Sequence, residues 1–214
     1  MTRSIILGVD FDNTIVCYDG LFYAAAVRRD LLPAAARLTR AEVRNRLLRE
    51  GREDDFTRLQ GWIYGPGLAE ARPYPGLGDC LAKLRVAGAE IFVISHKTRH
   101  AISGPPHDLR RAAWRWLAEN RLTAPGPIAE EGVFFEDTPA AKAARIAALG
   151  CTHFIDDMER FFQLPGFPAG VKKLLFRPGD DEDAPGGTMG VEGMVCFSSW
   201  VEIGKYLTGT ENGG

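Results

Sequence analysis

Residues 5–14 read IILGVDFDNT, an apolar run followed directly by two aspartates that are one residue apart. The run 5–9 has the length and composition of a buried β-strand. In an extended chain, residues i and i+2 point to the same side, so Asp10 and Asp12 leave the strand in a similar direction. Two carboxylates this close repel each other unless a cation lies between them. Because the same residue types are common in helix caps and turns, the pair needs support from the rest of the chain.

Five more short apolar runs follow and alternate with helical patterns. Most are almost continuously hydrophobic, which is typical of parallel strands covered on both faces. The expected strands are 5–9, 91–94, 133–135, 152–155, 173–176 and 194–197, and the expected helices between them are 77–87, 108–120 and 139–149. This alternation predicts an α/β fold, a Rossmann-like doubly wound parallel sheet with helices on both faces.

The stretch between the first two strands is too long for one crossover helix. Residues 20–73 contain three helical patterns, one of which starts with the capping box formed by Thr39 and Glu42. We therefore expect a small α-helical cap at 20–73, inserted into a Rossmann-like core at 1–19 and 74–207. The acidic, glycine-containing stretch 178–193 is predicted to be a surface loop and 208–214 a flexible tail.

The composition is that of a globular protein and argues against several classes of partner. The chain has 214 residues, of which 45% are hydrophobic and 25% charged. Its formal net charge of −2 creates no overall field that favours nucleic acid or an anionic membrane. No apolar run approaches the ~20 residues that cross a bilayer, and the first residues lack a signal-peptide pattern. With four scattered cysteines, we expect a cytoplasmic protein with reduced thiols.

Other polar residues follow the later strands of the expected sheet. Ser95 follows the second strand, Asp156 and Asp157 follow the fourth, and Lys142 lies near the start of the preceding helix. Because ligands bind outside the C-terminal ends of parallel strands, we expect these residues to meet the first acidic pair. Carboxylate ligands without histidine or cysteine favour Mg²⁺. With a lysine and a hydroxyl beside them, they form a site suited to a phosphoryl group.

The residues and their order resemble the four motifs of the haloacid dehalogenase superfamily, in its phosphatase branch. The motifs are carried by Asp10-Phe11-Asp12-Asn13-Thr14, Ser95, Lys142 and Asp156-Asp157, and the resemblance covers about residues 4–160. It implies Mg²⁺-dependent hydrolysis of a phosphate monoester. Dehalogenation is not expected, because the dehalogenase branch lacks a carboxylate at the position of Asp12.

The resemblance also implies a role for each member of the first motif. Asp10 would be the nucleophile that forms an aspartyl-phosphate, and a Mg²⁺ ligand. Asp12 would protonate the leaving oxygen and later activate water, while its backbone carbonyl binds the metal.

The remaining motifs would bind the phosphoryl group and the metal. Ser95 would hydrogen-bond the phosphoryl oxygens, and Lys142 would hold that group and the nucleophile, with Lys97 as the rival for this lysine. Asp156 and Asp157 would bind the metal directly or through water. Which of the two aspartates touches the ion stays open.

The loops beside the site contain candidate substrate-binding residues. They are Phe11, Asn13 and Thr14 in the first loop, and His96 and Lys97 after the second strand. A histidine in such a loop shapes the pocket more often than it acts in catalysis.

We therefore predict a Mg²⁺-dependent phosphatase for a small phosphorylated metabolite, with a helical cap that sets specificity. Sugar phosphates, nucleotides and amino-acid-like phosphates all fit. One alternative is a phosphatase for a polynucleotide or another large phosphorylated end, which the near-neutral charge disfavours. Another is a non-catalytic phospho-receiver or binding module on the same architecture, although a receiver has no place for the insert. The sequence leaves the substrate and the oligomeric state open.

Overall fold

The chain divides into one unit built on a β-sheet and one unit of helices. The computed structural model describes residues 4–34, 38–178 and 193–209. We call Met1–Val16, Pro73–His96 and Arg121–Gly214 the sheet unit, and Cys17–Arg72 with Lys97–Asn120 the helical unit. Most of the predicted loop 178–193 and tail 208–214 lies outside the described residues. None of the described helices combines the length and apolar character that crossing a bilayer requires.

The described parts of the chain contain eight short strands and eight α-helices. The strands are β1 (Ile6–Val9), β2 (Val16–Cys17), β3 (Arg72–Pro73), β4 (Glu90–His96), β5 (Val133–Glu136), β6 (His153–Asp156), β7 (Lys172–Phe176) and β8 (Met194–Phe197). The helices are α1 (Leu21–Arg28), α2 (Arg40–Arg49), α3 (Glu53–Tyr64), α4 (Leu77–Val86), α5 (Leu109–Glu119), α6 (Pro139–Ala148), α7 (Glu159–Phe162) and α8 (Trp200–Thr208). Two short 3₁₀ helices span Pro66–Glu70 and Glu130–Gly132.

Six parallel strands form the sheet in the order β5-β4-β1-β6-β7-β8. The chain adds β4 and β5 on one side of β1 and then returns to add β6, β7 and β8 on the other. This is the doubly wound α/β topology that the alternation of apolar runs predicted, and the predicted fold class is confirmed. The strand order reverses beside β1, and ligands of such sheets bind outside the C-terminal strand ends at that point.

Close packing between β1 and an aromatic cluster shapes the core next to this reversal. Phe154, Phe161, Phe162 and Phe167 contact one another with ring centroids 5.3–6.4 Å apart. At Gly8, a Cβ atom would lie 2.5 Å from the Phe154 ring. A glycine is therefore needed in the middle of β1, because any side chain there would displace Phe154.

The helical unit contains the predicted capping box at the start of α2. The Thr39 hydroxyl accepts a hydrogen bond from the Glu42 amide at 3.3 Å, and the Glu42 carboxylate accepts one from the Thr39 amide at 2.7 Å. These reciprocal bonds satisfy two amides that the first helical turn leaves without a partner. The polar sequence pattern therefore sets the start of α2.

The helical unit is larger than the expected cap at 20–73, because it also takes in residues 97–120 with α5. Two glycines on and just after α3 explain this packing: a Cβ on Gly61 would lie 2.8 Å from the Ala101 Cβ, and one on Gly65 would lie 2.9 Å from the His107 Cβ. The buried Trp116 indole also donates to the Ala71 carbonyl at 3.0 Å. A helix that the alternation pattern placed in the Rossmann-like core therefore packs with the insert.

Candidate functional site

Asp10 and Asp156 leave two neighbouring strands at the same level of the sheet. Val9 of β1 lies opposite Ile155 of β6, and the Asp10 amide continues this pairing by donating to the Ile155 carbonyl at 2.9 Å. The two aspartates are only 6% and 1% exposed. The register of two parallel strands therefore brings a pair of buried acids to the C-terminal edge of the sheet.

Lys142 reaches both of these acids from α6. Its Nζ lies 2.6 Å from Asp10 Oδ1 and 2.6 Å from Asp156 Oδ2. The same Nζ lies 4.2 Å and 5.2 Å from the ring centroids of Phe161 and Phe154. Burial alone would lower the pKa of Lys142, but the two carboxylates outweigh it, so this pKa is raised above its usual range. Lys142 is therefore a buried ammonium group held in its charged form.

Helix capping places Lys142 where it can make these contacts. The Thr138 hydroxyl accepts a hydrogen bond from the Ala141 amide at 3.0 Å, and Pro139 occupies the first helical position. Both residues favour a helix start at this point. Lys142 then lies in the first turn of α6, the helix that follows β5.

A third carboxylate, that of Asp157, completes a cluster at the sheet edge. One carboxylate oxygen each from Asp10, Asp156 and Asp157 lie within 4.8 Å of one another. Burial raises the pKa of Asp10 to about 7 against the opposing effect of Lys142. Burial, together with the charges of Asp10 and Asp156, raises the pKa of Asp157 to about 8. The protein alone therefore does not stabilise all three carboxylates in their ionised form.

The composition of this cluster suits a divalent cation. When all three carboxyl groups are ionised, their charges against the single charge of Lys142 leave two negative charges, which one divalent ion neutralises. All donor atoms are oxygens, and Mg²⁺ is bound in proteins by one or more carboxylates together with water and phosphate oxygens. Asp10, Asp156 and Asp157 could therefore hold Mg²⁺.

The loop after β1 turns back sharply and carries the second acid, Asp12. The amides of Ile15 and Val16 both donate to the Phe11 carbonyl, at 3.1 Å and 3.0 Å. Asn13 adopts the left-handed conformation with a φ of 58°, which asparagine tolerates better than most residues. Asp12 is partly buried, and its charge contributes to the raised pKa values of Asp10 and Asp157. The turn therefore keeps Asp12 within electrostatic reach of the cluster.

Solved structures that resemble this chain over nearly its whole length are hydrolases. One is described as a predicted phosphoglycolate phosphatase from Haemophilus somnus 129PT (17% identity, TM-score 0.59, covering 99% of this chain and 100% of that one). Another is a haloacid dehalogenase (HAD) family hydrolase from Deinococcus radiodurans R1 with bound phosphate and sodium (15% identity, TM-score 0.59, covering 98% and 97%). This chain has the haloacid dehalogenase fold.

The likeness is one of fold, because sequence identity is low throughout. The HAD hydrolase YfnB from Bacillus subtilis, in a structure bound to magnesium, matches with 14% identity and a TM-score of 0.57, covering 96% of this chain and 99% of its own. No protein-family model and no curated protein matches the sequence. The resemblance expected from the four motifs is confirmed at the level of the haloacid dehalogenase fold.

Ser95 lies at the same edge of this haloacid dehalogenase sheet. In β4, Val93 is opposite Val9 of β1, so Ser95 extends one residue beyond the level of Asp10. Its side chain is only 1% exposed. The strand register and the burial of Ser95 together indicate that its side chain points into the protein at the C-terminal ends of the strands.

The other two candidates, the last residue of β4 and the residue after it, have different surroundings. His96 is exposed. Lys97 belongs to the helical unit, is 3% exposed, and has its Nζ 4.9 Å from the ring centroid of Tyr64. Of the two lysines considered for the phosphate-holding role, Lys142 is the one that the structure brings to Asp10 and Asp156.

In the first loop, two of the candidate substrate-binding residues have fully buried side chains. Phe11 is 0% exposed and packs edge-to-face on Phe135 with ring centroids 5.7 Å apart. Thr14 is also 0% exposed, and its hydroxyl has no hydrogen-bond partner among the described residues. Asn13 is partly buried. Phe11 and Thr14 therefore cannot contact a ligand through their side chains without a rearrangement.

Sequence reasoning missed three residues that contact the site. Phe161 lies beside the Lys142 ammonium, and the Met158 amide donates to Asp156 Oδ1 at 2.8 Å. Trp200, near the C-terminus of the chain, donates from its indole to the Thr14 carbonyl at 3.0 Å. Met158 directly follows the acidic pair and Phe161 comes three residues later, so both could have been suspected from their position. Nothing in the sequence around Trp200 indicates its contact.

Proposed function

We propose that this chain is a Mg²⁺-dependent phosphatase that hydrolyses a small phosphate monoester through an aspartyl-phosphate on Asp10. The observation that carries the proposal is the buried Lys142 ammonium, 2.6 Å from both Asp10 and Asp156 within a cluster of three carboxylates. A structural ion pair needs one acid for one lysine, whereas this site has two more carboxyl groups than Lys142 can balance once all three are ionised. A divalent cation would restore that balance and, with Lys142, would attract a phosphoryl group.

The first half of the proposed reaction transfers the phosphoryl group to the protein. A carboxylate oxygen of Asp10 forms a bond to phosphorus while the bond from phosphorus to the leaving oxygen breaks. Asp12, protonated at the start, donates its proton to that oxygen. Ser95 donates a hydrogen bond to a phosphoryl oxygen, and Lys142 neutralises charge on the nucleophile and the transferred group.

The second half returns the protein to its starting state. Water attacks phosphorus, Asp12 accepts its proton, and the bond from phosphorus to Asp10 breaks. Inorganic phosphate leaves, the Asp10 carboxylate is restored and Asp12 is again protonated. Asp10, Asp156 and Asp157 would hold Mg²⁺, which would supply positive charge to the transferred phosphoryl group.

The ligands bound in two similar structures support a phosphate substrate and a magnesium ion for this chain. The Deinococcus hydrolase carries bound phosphate, and the Bacillus hydrolase is bound to magnesium. A small phosphorylated metabolite remains our proposed substrate class. The four free cysteines support a reducing, cytoplasmic location.

Mg²⁺ affinity is expected to depend on pH, because protons and metal compete for the same carboxylates. The pKa of Asp10 is raised to about 7 and that of Asp157 to about 8, chiefly by burial. The metal binds the ionised forms, so the affinity falls as the pH drops from about 8 to about 6, by up to about tenfold per pH unit for each proton displaced. Isothermal titration with MgCl₂, in two buffers of different ionisation enthalpy, measures both the affinity and the proton release. An affinity independent of pH, without proton release, would contradict this ligand set.

Hydrolysis of p-nitrophenyl phosphate tests the proposed function directly. The protein is expected to be active with Mg²⁺, inactive after treatment with a chelator, and active again when Mg²⁺ is restored. No halide release from 2-chloropropionate is expected, because Asp12 supplies a proton that a halide does not need. Equal activity with and without chelator would rule out the mechanism. Phosphorylation of Asp10 without turnover would favour the non-catalytic receiver.

A further inference from the structure

The loop 10–14, which follows β1, is contacted by a residue from near the other end of the sequence. Thr14 ends the stretch that begins with Asp10, and its carbonyl oxygen accepts a hydrogen bond from the Trp200 indole at 3.0 Å. The two residues are 186 positions apart in sequence, and both are 0% exposed. Among the described residues, no backbone amide donates to this carbonyl. The indole is therefore the group that satisfies a buried acceptor at the end of the loop.

Several contacts fix the Trp200 indole itself. Trp200 is the first residue of α8, and the Ser199 hydroxyl caps this helix by accepting from the Glu202 amide at 3.3 Å. The Ser198 amide in turn donates to the Glu202 carboxylate at 2.9 Å. The indole packs on Phe176 of β7 with ring centroids 5.9 Å apart. Contacts with β7 and with a capped helix therefore hold the Trp200 indole in place as a hydrogen-bond donor.

Besides this bond, the loop that receives it is held by the packing of Phe11 on Phe135 and by the bridge between Asp12 and Val16. It contains the left-handed Asn13, and its turn closes on the single Phe11 carbonyl. The hydroxyl of Thr14, which could have anchored the loop, has no partner in the described parts of the chain. If the indole donor were lost, the buried Thr14 carbonyl would have to move to find another donor, and it would pull the neighbouring residues with it.

We propose that Trp200 is a positioning residue for Asp10 and Asp12 and that it acts through the Thr14 carbonyl. The proposal deepens the proposed function and rests on it for its kinetic consequence. Thr14 is two residues from Asp12 and four from Asp10, so a shift of the carbonyl is transmitted to both acids. A displacement of about 1 Å of a reacting group can cost on the order of 100-fold in rate. Trp200 thus connects the last helix of the sheet unit to the geometry of the reaction.

Trp200→Phe tests this proposal, with Trp116→Phe as the matched control. Both tryptophans are buried, at 0% and 2% exposure, and each donates from its indole to a backbone carbonyl at 3.0 Å. Each substitution keeps an aromatic ring and removes one donor, so the two variants should lose similar thermal stability. Trp200→Phe is expected to lower kcat at least ~10-fold with KM changed less than about threefold, whereas Trp116→Phe keeps kcat within about twofold.

Mg²⁺ binding provides a second readout that does not need turnover. Trp200→Phe is expected to weaken the Mg²⁺ affinity at least ~5-fold by calorimetry, because the loop carries the Asp10 ligand, while Trp116→Phe leaves it unchanged. Site-specific β-(3-benzothienyl)alanine at position 200, which keeps the shape of indole but lacks the N–H, should reproduce both losses. Equal kcat and Mg²⁺ affinity in the two phenylalanine variants would overturn the proposal. If the wild-type protein has no phosphatase activity, the proposed function fails, and the Mg²⁺ titration still decides the role of Trp200.

Discussion

Asp10→Asn is expected to reduce the hydrolysis of p-nitrophenyl phosphate by at least ~10³-fold. The amide has nearly the shape of the carboxylate but cannot attack phosphorus, so the first half of the reaction is lost. Steady-state kinetics at saturating Mg²⁺ measure the effect. Mass spectrometry of rapidly quenched protein should find a phosphorylated species in the wild type and none in the variant.

Stability measurements separate this loss from unfolding. The pKa of Asp10 is raised to about 7, chiefly by burial, so the folded protein binds more protons than the unfolded chain between about pH 4 and pH 7. The contribution of Asp10 to the free energy of unfolding therefore falls as the pH rises from about 4 to about 7. Above about pH 7, the ionised Asp10 destabilises the metal-free protein. The amide introduced by Asp10→Asn carries no charge, so the metal-free variant should be at least as stable as the wild type near pH 8.

Asp79→Asn is the control for Asp10→Asn. Asp79 lies on the exposed side of the first turn of α4. The substitution makes the same chemical change, and we expect it to cost only a few tenths of a kcal/mol through the helix dipole and to leave kcat unchanged. An Asp10→Asn variant that keeps more than about a tenth of the wild-type kcat would refute Asp10 as the nucleophile.

The sheet and the acids at its edge were predictable because both depend on local sequence. Apolar runs such as 5–9 are typical of parallel strands buried on both faces, and residues such as Asp10 that follow them lie at the C-terminal edge. The capping box at Thr39 was predictable for the same reason, since its two partners are three residues apart. Patterns within about ten residues therefore account for the confirmed fold and for most of the cluster.

Features that depend on contacts between distant residues were not predictable. The alternation pattern placed α5 in the Rossmann-like core, whereas small residues at Gly61 and Gly65 allow the segment before it to pack on α3. The sequence also left Lys142 and Lys97 as rivals, because the lysine motif is only a lysine on a helix before the last acidic pair. Only the distances of 2.6 Å from Lys142 to Asp10 and Asp156 separate them. Such distances depend on how helix and sheet pack, which no local pattern specifies.

Lys142→Met is expected to lower kcat by about 10²–10³-fold without weakening Mg²⁺ binding. Methionine has a similar length but no charge, so stabilisation of the transferred phosphoryl group is lost. The carboxylates lose the single positive charge that opposes a cation at this site, so the Mg²⁺ affinity near pH 8 should stay equal or increase. Kinetics and calorimetry of the same preparation measure both. A parallel loss of activity and Mg²⁺ binding would instead mean that Lys142 only holds the cluster together.

The same substitution should make the stability of the protein depend strongly on Mg²⁺. Removing one partner of a buried ion pair costs about 3–5 kcal/mol, because a buried charge is left uncompensated. Mg²⁺ can supply that compensation, so denaturant unfolding should show a larger stabilisation by Mg²⁺ for Lys142→Met than for the wild type. Arg145→Gln removes a charge from the same helix, but its partly exposed pair with Glu136 at 2.8 Å should contribute only about 0–1 kcal/mol. A functional Lys142 requires the two variants to differ in this way, because a solvated lysine on α6 would behave like Arg145.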